Sequence, residues 1–452
     1  MFISFYGAAG TVTGSKYVLS IGKKNILVDC GLFQGLKNLR QRNWEDPPFD
    51  LGRIDAIVLT HAHIDHTGYL PVLVKRGYEG PVYCTEGTRA LCEILLPDSG
   101  HLQEEEARYL TRHKYARHDP ALPLYTREDA EACVKLLTPR PFGTDIDLGD
   151  GVTFRYTPAG HILGSAWVAF MHNGYHVVFS GDVGRMNDPV MKAPVGIPHA
   201  DVLVCESTYG NRLHPETDPA HELAAVITRT VKRGGTLVIP AFAVGRTQAL
   251  LHFISELRKA RAIPDVPVYL NSPLAIDATE IYCEHSREHK LSEAMCGEMF
   301  RVAEFIKSEE ASRALNATGS PAVIIAGSGM ATGGRVVHHL RTLLPDARNA
   351  VLLAGFQAPG TRGEALQNGA KELKIFGEFV PVRAEVVELT SMSAHGDYLE
   401  LIEWLGSVQG KPKRVFLTHG EPAAADAFRK HIDRHLDWQA EIPEHKQTVR
   451  LQ

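Results

Sequence analysis

The chain has 452 residues, 44% apolar and 22% charged, with a net charge of −5 at neutral pH. That length exceeds one ordinary core and predicts two or three domains. No apolar run approaches the ~20 residues of a membrane span. The mildly acidic balance does not advertise a nucleic-acid binder, whose domains are often basic overall, and does not exclude one, since a local basic groove with metal ions can hold a phosphate backbone. The seven cysteines are scattered and odd in number, and no two form a C-x-x-C pair. They argue against a disulfide framework and for a reducing cytoplasm. The 22 histidines suit a metal site better than a scaffold.

The N-terminal part reads as short strands over 1–5, 16–21 and 25–28, with a turn over 10–14. The third strand ends at Asp29, which is either a surface turn residue or a buried carboxylate supporting the histidine-rich loop beyond the next strand. Residues 35–42, with Lys37, Arg40 and Arg42, read as a solvated basic stretch. The apolar run 54–59 reads as a buried strand, and a helix is expected from Tyr69. Between them stands His61-Ala62-His63-Ile64-Asp65-His66, four metal-binding side chains within six residues. His61 and His63 alternate, so in extended chain they point the same way. Asp65 and His66 are adjacent, so they diverge and can serve a second ion. Imidazole with carboxylate suits zinc, with manganese and iron as rivals.

Residues 100–118 read as a charged helix that opens acidic and ends basic, with Arg112, His113, Lys114, Arg117 and His118. The basic end either complements the helix dipole or faces an anionic polymer. Tyr109 and Tyr115 either stack on bases or pack on the body. Strands return over 152–157, 165–172 and 176–180. They place His161 and Asp182 on glycine-flanked loops, where a third histidine and a bridging carboxylate are needed. A strand over 201–205 leads to Glu206.

The rhythm then becomes strand and helix in alternation. Helices are expected over 219–232, 246–260, 276–284 and 335–344, and strands over 236–239, 267–270, 322–326 and 350–354. This pattern predicts a parallel sheet covered by helices. The earlier strand-then-ligand pattern resumes with a strand over 382–389 before His395, and another over 414–417 before His419. The expected organisation is therefore a first domain built from 1–206 and 375–452, with a second, 207–374, inserted into it.

Gathered together, His61, His63 and His161 can hold one ion, Asp65, His66 and His419 another, with Asp182 as the bridge. Two ions ~3.5–4 Å apart acidify a shared water and clamp the oxygens of a phosphodiester or carbonyl. His395, with Glu206 as the candidate partner carboxylate, either protonates a leaving oxygen near neutral pH or is a structural residue of its Ser-Ala-His-Gly loop. The loop holding Ser328 and Gly329 precedes a helix and is either a phosphate cradle or an ordinary tight turn. Ser272 stands in a similar place. Arg246 is either a phosphate clamp or a helix-terminal charge held in a salt bridge.

The His61 to His66 signature, with His161 and Asp182 downstream, resembles the metallo-β-lactamase superfamily. Glu206-Ser207-Thr208-Tyr209-Gly210, Pro240 to Gln248, Asn271 to Ala275, Gly327 to Met330 and Ser393 to Asp397 resemble the β-CASP nucleases within it. The resemblance covers nearly the whole chain. It implies an α/β fold, an αββα sandwich with an inserted β-CASP domain of parallel sheet and helices. It implies two zinc ions per chain, held by His61, His63, Asp65, His66, His161, Asp182 and His419. His395, Glu206, Asp65 and Asp29 become the catalytic set, and Ser328, Gly329, Ser272 and Arg246 the substrate contacts. RNA-acting members carry histidine where His419 stands and the DNA-repair branch carries valine. The resemblance thus implies a zinc-dependent ribonuclease acting on single-stranded RNA. It cuts mainly within the strand, with 5′-to-3′ trimming as a second activity. The rival readings are a DNA nuclease, a small-ester hydrolase and a non-catalytic RNA-binding subunit. Single-stranded RNA is the expected partner, no membrane is, and a homodimer is compatible with the chain. Asn271 stands where relatives commonly have Asp, with little effect expected.

Overall fold

The computed structural model describes residues 1–112, 120–317, 319 and 321–452. The chain divides into two compact units, Met1–Leu213 with His395–Gln452, and His214–Ala394.

The first unit holds two seven-stranded sheets. In the first, strand Ala56–Val58 runs parallel to Lys24–Val28 on one side and to Val82–Cys84 on the other. A strand with parallel neighbours on both edges and cover on both faces must be apolar throughout, and all three of its residues are buried. In the second sheet, Val202–Glu206 lies parallel to both Tyr175–Phe179 and Arg414–Thr418. The inner faces of the sheets meet in one core. Ile3, Phe5, Val28 and Val58 come from the first sheet, and Phe154, Phe170, Phe179, Val204 and Phe416 from the second. Outside the second sheet, Leu203, Cys205 and Leu417 pack on Leu401, Trp404, Phe428 and Ile432. These come from helices Tyr398–Leu405 and Pro422–Leu436. On the first sheet's side lie helices Leu70–Lys75, Glu86–Arg112 and Arg127–Val134, which pack on one another. The architecture is an αββα sandwich.

The functional loops leave the sheets at neighbouring strand ends. Residues after Val28, Val58, Phe179, Glu206 and Thr418 all follow the carboxyl ends of parallel-paired strands, where open α/β sheets form their sites.

The second unit is a six-stranded sheet in which every pairing is parallel. Its order is Glu304–Phe305, Val268–Asn271, Val323–Ala326, Leu237–Pro240, Ala350–Leu353, Glu385–Glu388. A small antiparallel hairpin, Glu372–Ile375 with Glu378–Pro381, accompanies it.

Two elements differ from the sequence reading. The strand expected over 382–389 is Glu385–Glu388, and it pairs with Ala350–Leu353 in the inserted sheet rather than rejoining the first domain at residue 375. The change of unit falls between Ala394 and His395. A local pattern of apolar and polar residues carries no information about which sheet edge a strand will join. The helix expected to open at residue 100 is instead the C-terminal part of an unbroken helix, Glu86–Arg112. Gly100 is there for close packing: a Cβ would stand 2.6–2.7 Å from the Thr126 and Arg127 backbone. Of its expected basic end, Arg112 is described, whereas Tyr115 and the charged residues 113, 114, 117 and 118 lie outside the described residues.

All seven cysteines are free, and six of them are buried. Among the described residues, no helix is long and apolar enough to cross a membrane.

Candidate metal centre

His61 follows strand Ala56–Val58 by three residues and is fully buried. Its Nε2 lies 3.1 Å from Nδ1 of His63, and that same nitrogen lies 3.2 Å from Nε2 of His161. Asp182 Oδ2 stands 3.4 Å from His61 Nε2 and 3.6 Å from His161 Nε2. A second group forms beside it. Asp65 and His66 ride on the short helix Ile64–Thr67. Asp65 Oδ2 is 3.3 Å from His419 Nε2, and His66 Nε2 is 3.3 Å from Asp182 Oδ1. His419 Nδ1 is 3.6 Å from the same Asp182 oxygen. One carboxylate therefore faces both groups.

Burial of so many polar groups must be compensated. It pushes His61 well below its ordinary pKa and His63 down to about 4, so these rings are neutral and offer lone pairs. Burial also opposes charging of His66, but Asp182 and Asp29 outweigh it and hold His66 well above the usual range. For Asp182, burial opposes ionisation, while His419, His66 and His61 more than offset it and hold its carboxyl well below the usual range.

The donor set fits zinc. Four ligands at 2.0–2.1 Å around a tetrahedral ion lie about 3.3 Å from one another. The nitrogen and oxygen separations of the first group, 3.1–3.6 Å, bracket that figure. The ligand atoms of His61, His63, His161 and Asp182 all lie within 4.8 Å of one another, as do those of Asp65, His66 and His419.

A supporting layer orients the candidate ligands. Asp29 is buried, with a left-handed φ of 57° that non-glycine residues rarely adopt. Its Oδ1 accepts from the Thr60 amide at 2.7 Å, and its Oδ2 from the Thr60 hydroxyl at 2.9 Å. Oδ2 also lies 2.7 Å from His66 Nδ1, fixing that ring with Nε2 towards Asp182. A carboxylate behind a metal-binding histidine sets its tautomer and raises its basicity. Thr208 plays a similar part for His419, whose Nδ1 is 3.0 Å from the Thr208 hydroxyl. Sequence reasoning missed Thr60 and Thr208. The only available signal was position, since each lies within two residues of a named site residue.

His395 sits on a loop tied to the site by backbone. Gly396 donates to the Val183 carbonyl at 2.9 Å, and Gly184 bridges to His395. Only glycine fits at 184, because a Cβ there would meet the Gly160 carbonyl oxygen at 1.9 Å. His395 Nδ1 lies 3.2 Å from both oxygens of Glu206, which itself accepts from the Val183 amide at 2.6 Å. Burial works against a charge on His395, but Glu206, Asp182 and Asp65 push its pKa up to about 9. Its ring is 4.4 Å from that of His161, centre to centre.

The four expected substrate contacts all belong to the second unit. Ser272 caps helix Pro273–Glu284, accepting from the Ala275 amide at 3.3 Å. The Ser328 hydroxyl accepts from the Thr332 amide at 3.0 Å, closing its own turn. Gly329 lies against the Phe242 ring. Arg246 heads helix Arg246–Lys259, with its guanidinium near Gly355.

Comparison with known proteins agrees with this architecture. Residues 24–234 match the β-lactamase superfamily domain, 247–366 the β-CASP domain, and 380–443 the Zn-dependent metallo-hydrolase RNA specificity domain. A ribonuclease of Thermus thermophilus is 38% identical over 423 residues, covering 92% of each chain. The chain belongs to the β-CASP family of the metallo-β-lactamase superfamily. Two further β-CASP relatives are transcription termination factors FttA. That of Methanocaldococcus jannaschii is 31% identical, covering 99% of this chain and 71% of its own. That of Methanosarcina mazei is 32% identical with the same coverage. A crystal structure of a protein of unknown function from Enterococcus faecalis superposes with a TM-score of 0.54 over 99% of both chains. At 12% identity it speaks to the fold alone.

Proposed function

We propose that this β-CASP protein is a zinc-dependent ribonuclease that hydrolyses phosphodiester bonds of single-stranded RNA. Cleavage is mainly endonucleolytic, with 5′-to-3′ trimming as a second activity. The observation that carries the reading is the Glu206–His395 pair beside the clustered ligands, a proton donor next to a site that fits metal. The ribonuclease named among its relatives, nearly co-extensive with the chain, supports the choice of RNA.

Two zinc ions are proposed, one with His61, His63 and His161, the other with Asp65, His66 and His419, and Asp182 facing both. When bound, zinc supplies Lewis acidity, polarising phosphoryl oxygens and acidifying water. The chain's own residues do the rest. Asp29 and Thr60 hold His66 in one tautomer. Glu206 takes the Nδ1 proton of His395 in a hydrogen bond, which leaves Nε2–H as the mobile proton. Water adds to phosphorus and gives up a proton to solvent; as the bond from phosphorus to the 3′-oxygen breaks, His395 gives its own proton to the departing ribose oxygen, a step worth about 10²–10⁴ in rate. The products are a 5′-phosphate and a 3′-hydroxyl.

The test is product analysis on a uniform single-stranded RNA. Internal fragments bearing 5′-phosphates are expected. Release of nothing but mononucleotides would assign the chain to exonucleases, and selective cleavage of DNA to the DNA branch.

A further inference from the structure

Trp44 stands out from the other three tryptophans. Trp167, Trp404 and Trp438 are 1–6% exposed, whereas Trp44 is 59% exposed. Its exposure is not that of a loose loop. The side chain of Asn43, just before it, is buried and donates to the Phe33 carbonyl at 2.8 Å while accepting from the Phe33 amide at 2.9 Å. Glu45, just after it, offers its carbonyl to the Tyr69 hydroxyl at 3.2 Å. Both neighbours are fastened down, and the indole between them faces solvent.

The anchors lead straight to the metal ligands. Phe33 and Tyr69 flank the Lys16 ammonium, each ring centre 4.6 Å away, and that buried ammonium donates to the Gly31 carbonyl. Residues 30–32 are bonded in turn to the ligand helix. Cys30 N donates to His66 O at 2.7 Å and Leu32 N to Ile64 O at 3.0 Å. By chain reach, Trp44 therefore lies within about 20 Å of the ligand helix.

The segment that leads into Trp44 is cationic. Helix Lys37–Gln41 buries none of its residues and presents Lys37 and Arg40, with Leu36 exposed at its head. Arg42 lies over the Phe33 ring at 5.4 Å. The two acids that follow Trp44 are exposed, and each faces a cation: Asp46 pairs with Arg76 at 2.5 Å, and Glu45 lies 3.9 Å from Lys446. An exposed aromatic face among cations suits a polyanion whose units each carry a flat ring.

We infer that Trp44, with Lys37, Arg40 and Arg42, forms an RNA-binding subsite on the sandwich unit, where a base stacks on the indole and its flanking phosphates meet the cations. This rests on the ribonuclease reading and adds to it a contact outside the chemistry. It lengthens the stretch of strand that is held without touching the scissile bond.

The test uses the zinc-loaded full chain with a 20-residue oligouridylate and a tetrauridylate. With the H395A variant, which binds without cutting, the 20-mer is expected to quench the exposed tryptophan emission. Trp44→Ala is expected to raise KM for the 20-mer about tenfold and to leave kcat, and all kinetics on the tetramer, unchanged. K37A/R40A is expected to flatten the salt dependence of 20-mer binding by about 1.4 in log–log slope. Unchanged emission at saturating 20-mer, or an unchanged 20-mer KM in Trp44→Ala, overturns the proposal. So does Trp44→Ala turning a dimer into a monomer with RNA kinetics intact, which assigns the patch to a second copy of the chain. If the wild-type protein neither binds nor cuts RNA, the ribonuclease reading falls first and this subsite with it.

Discussion

Both carboxylate oxygens of Glu206 lie 3.2 Å from Nδ1 of His395, although the two residues stand 189 positions apart. One is the last residue of strand Val202–Glu206, and the other sits on the loop that begins the second segment of the sandwich unit. Insertion of a whole domain between them leaves the pair intact.

In the proposed mechanism that pair sets a pH dependence. His395 must be protonated to act as an acid, so its contribution falls as pH rises through its pKa. Glu206→Gln removes the main group that raises it, so burial pulls the pKa down from about 9. The alkaline limb of the kcat profile is expected to move to lower pH, with kcat down about 10²-fold at neutral pH. Bound zinc lowers both limbs, so the displacement between the two proteins is the quantity to measure. His395→Ala is expected to lose the activity and to keep its zinc.

Asp29 is the support whose loss should be felt in the metal. Asp29→Ala removes the partner of Thr60 and of His66 Nδ1. Zinc affinity, measured by competition with a chelating dye, is expected to fall about 10–100-fold. Unaltered affinity would mean that Asp29 braces the backbone alone.

Metal content should respond to single ligands. Wild-type protein is expected to carry two zinc ions per chain by mass spectrometry, and His419→Ala one. Zinc affinity should rise with pH, because His66, held well above its ordinary pKa, must release a proton to bind. Chelation should lower the melting temperature, since an ion that binds the folded state stabilises it.

Gly184→Ala tests the packing of the two ligand loops. The new methyl would stand 1.9 Å from the Gly160 oxygen and 2.7 Å from the His161 amide. Destabilisation of about 2 kcal/mol or more is expected, with weakened zinc binding through displaced His161.

The second unit offers a test unconnected with metal. Asn271 accepts from Arg335 at 2.9 Å and donates to His339 Nε2 at 2.6 Å. The other His339 nitrogen faces Asn316 Oδ1 at 2.7 Å. Burial pushes His339 down to about 4. Its contribution to stability is thus complete above about 6.5 and is lost as pH falls towards 4, up to about 3 kcal/mol. An Asp at 271 cannot donate to Nε2 and favours a protonated ring. N271D is expected to lose less stability than wild type between pH 7.5 and pH 5 by urea denaturation. The amide at this position is therefore matched to a neutral His339, whereas the sequence alone suggests little effect.

The clustering of the candidate ligands was legible because ligand chemistry compresses into short spacing. His61, His63, Asp65 and His66 announce themselves within six residues, and His161, Asp182 and His419 each end a strand-like run. The parallel order of the inserted sheet was legible from alternation. What stayed hidden depends on tertiary placement. Thr60 and Thr208 are ordinary residues until folding brings Asp29 and His419 against them. Gly100 reads as a helix boundary until the neighbouring helix is packed upon it. The segment at Glu385 reads as a returning strand until its partner, Ala350–Leu353, is known.

The most direct measurement is a denaturing gel of a 5′-end-labelled single-stranded RNA incubated with zinc-loaded wild-type protein, with His395→Ala of equal zinc content alongside. Internal fragments are expected in the wild-type lane and intact RNA in the other. Equal cleavage in both lanes would contradict the acid role of His395, and no cleavage in either would contradict the ribonuclease itself.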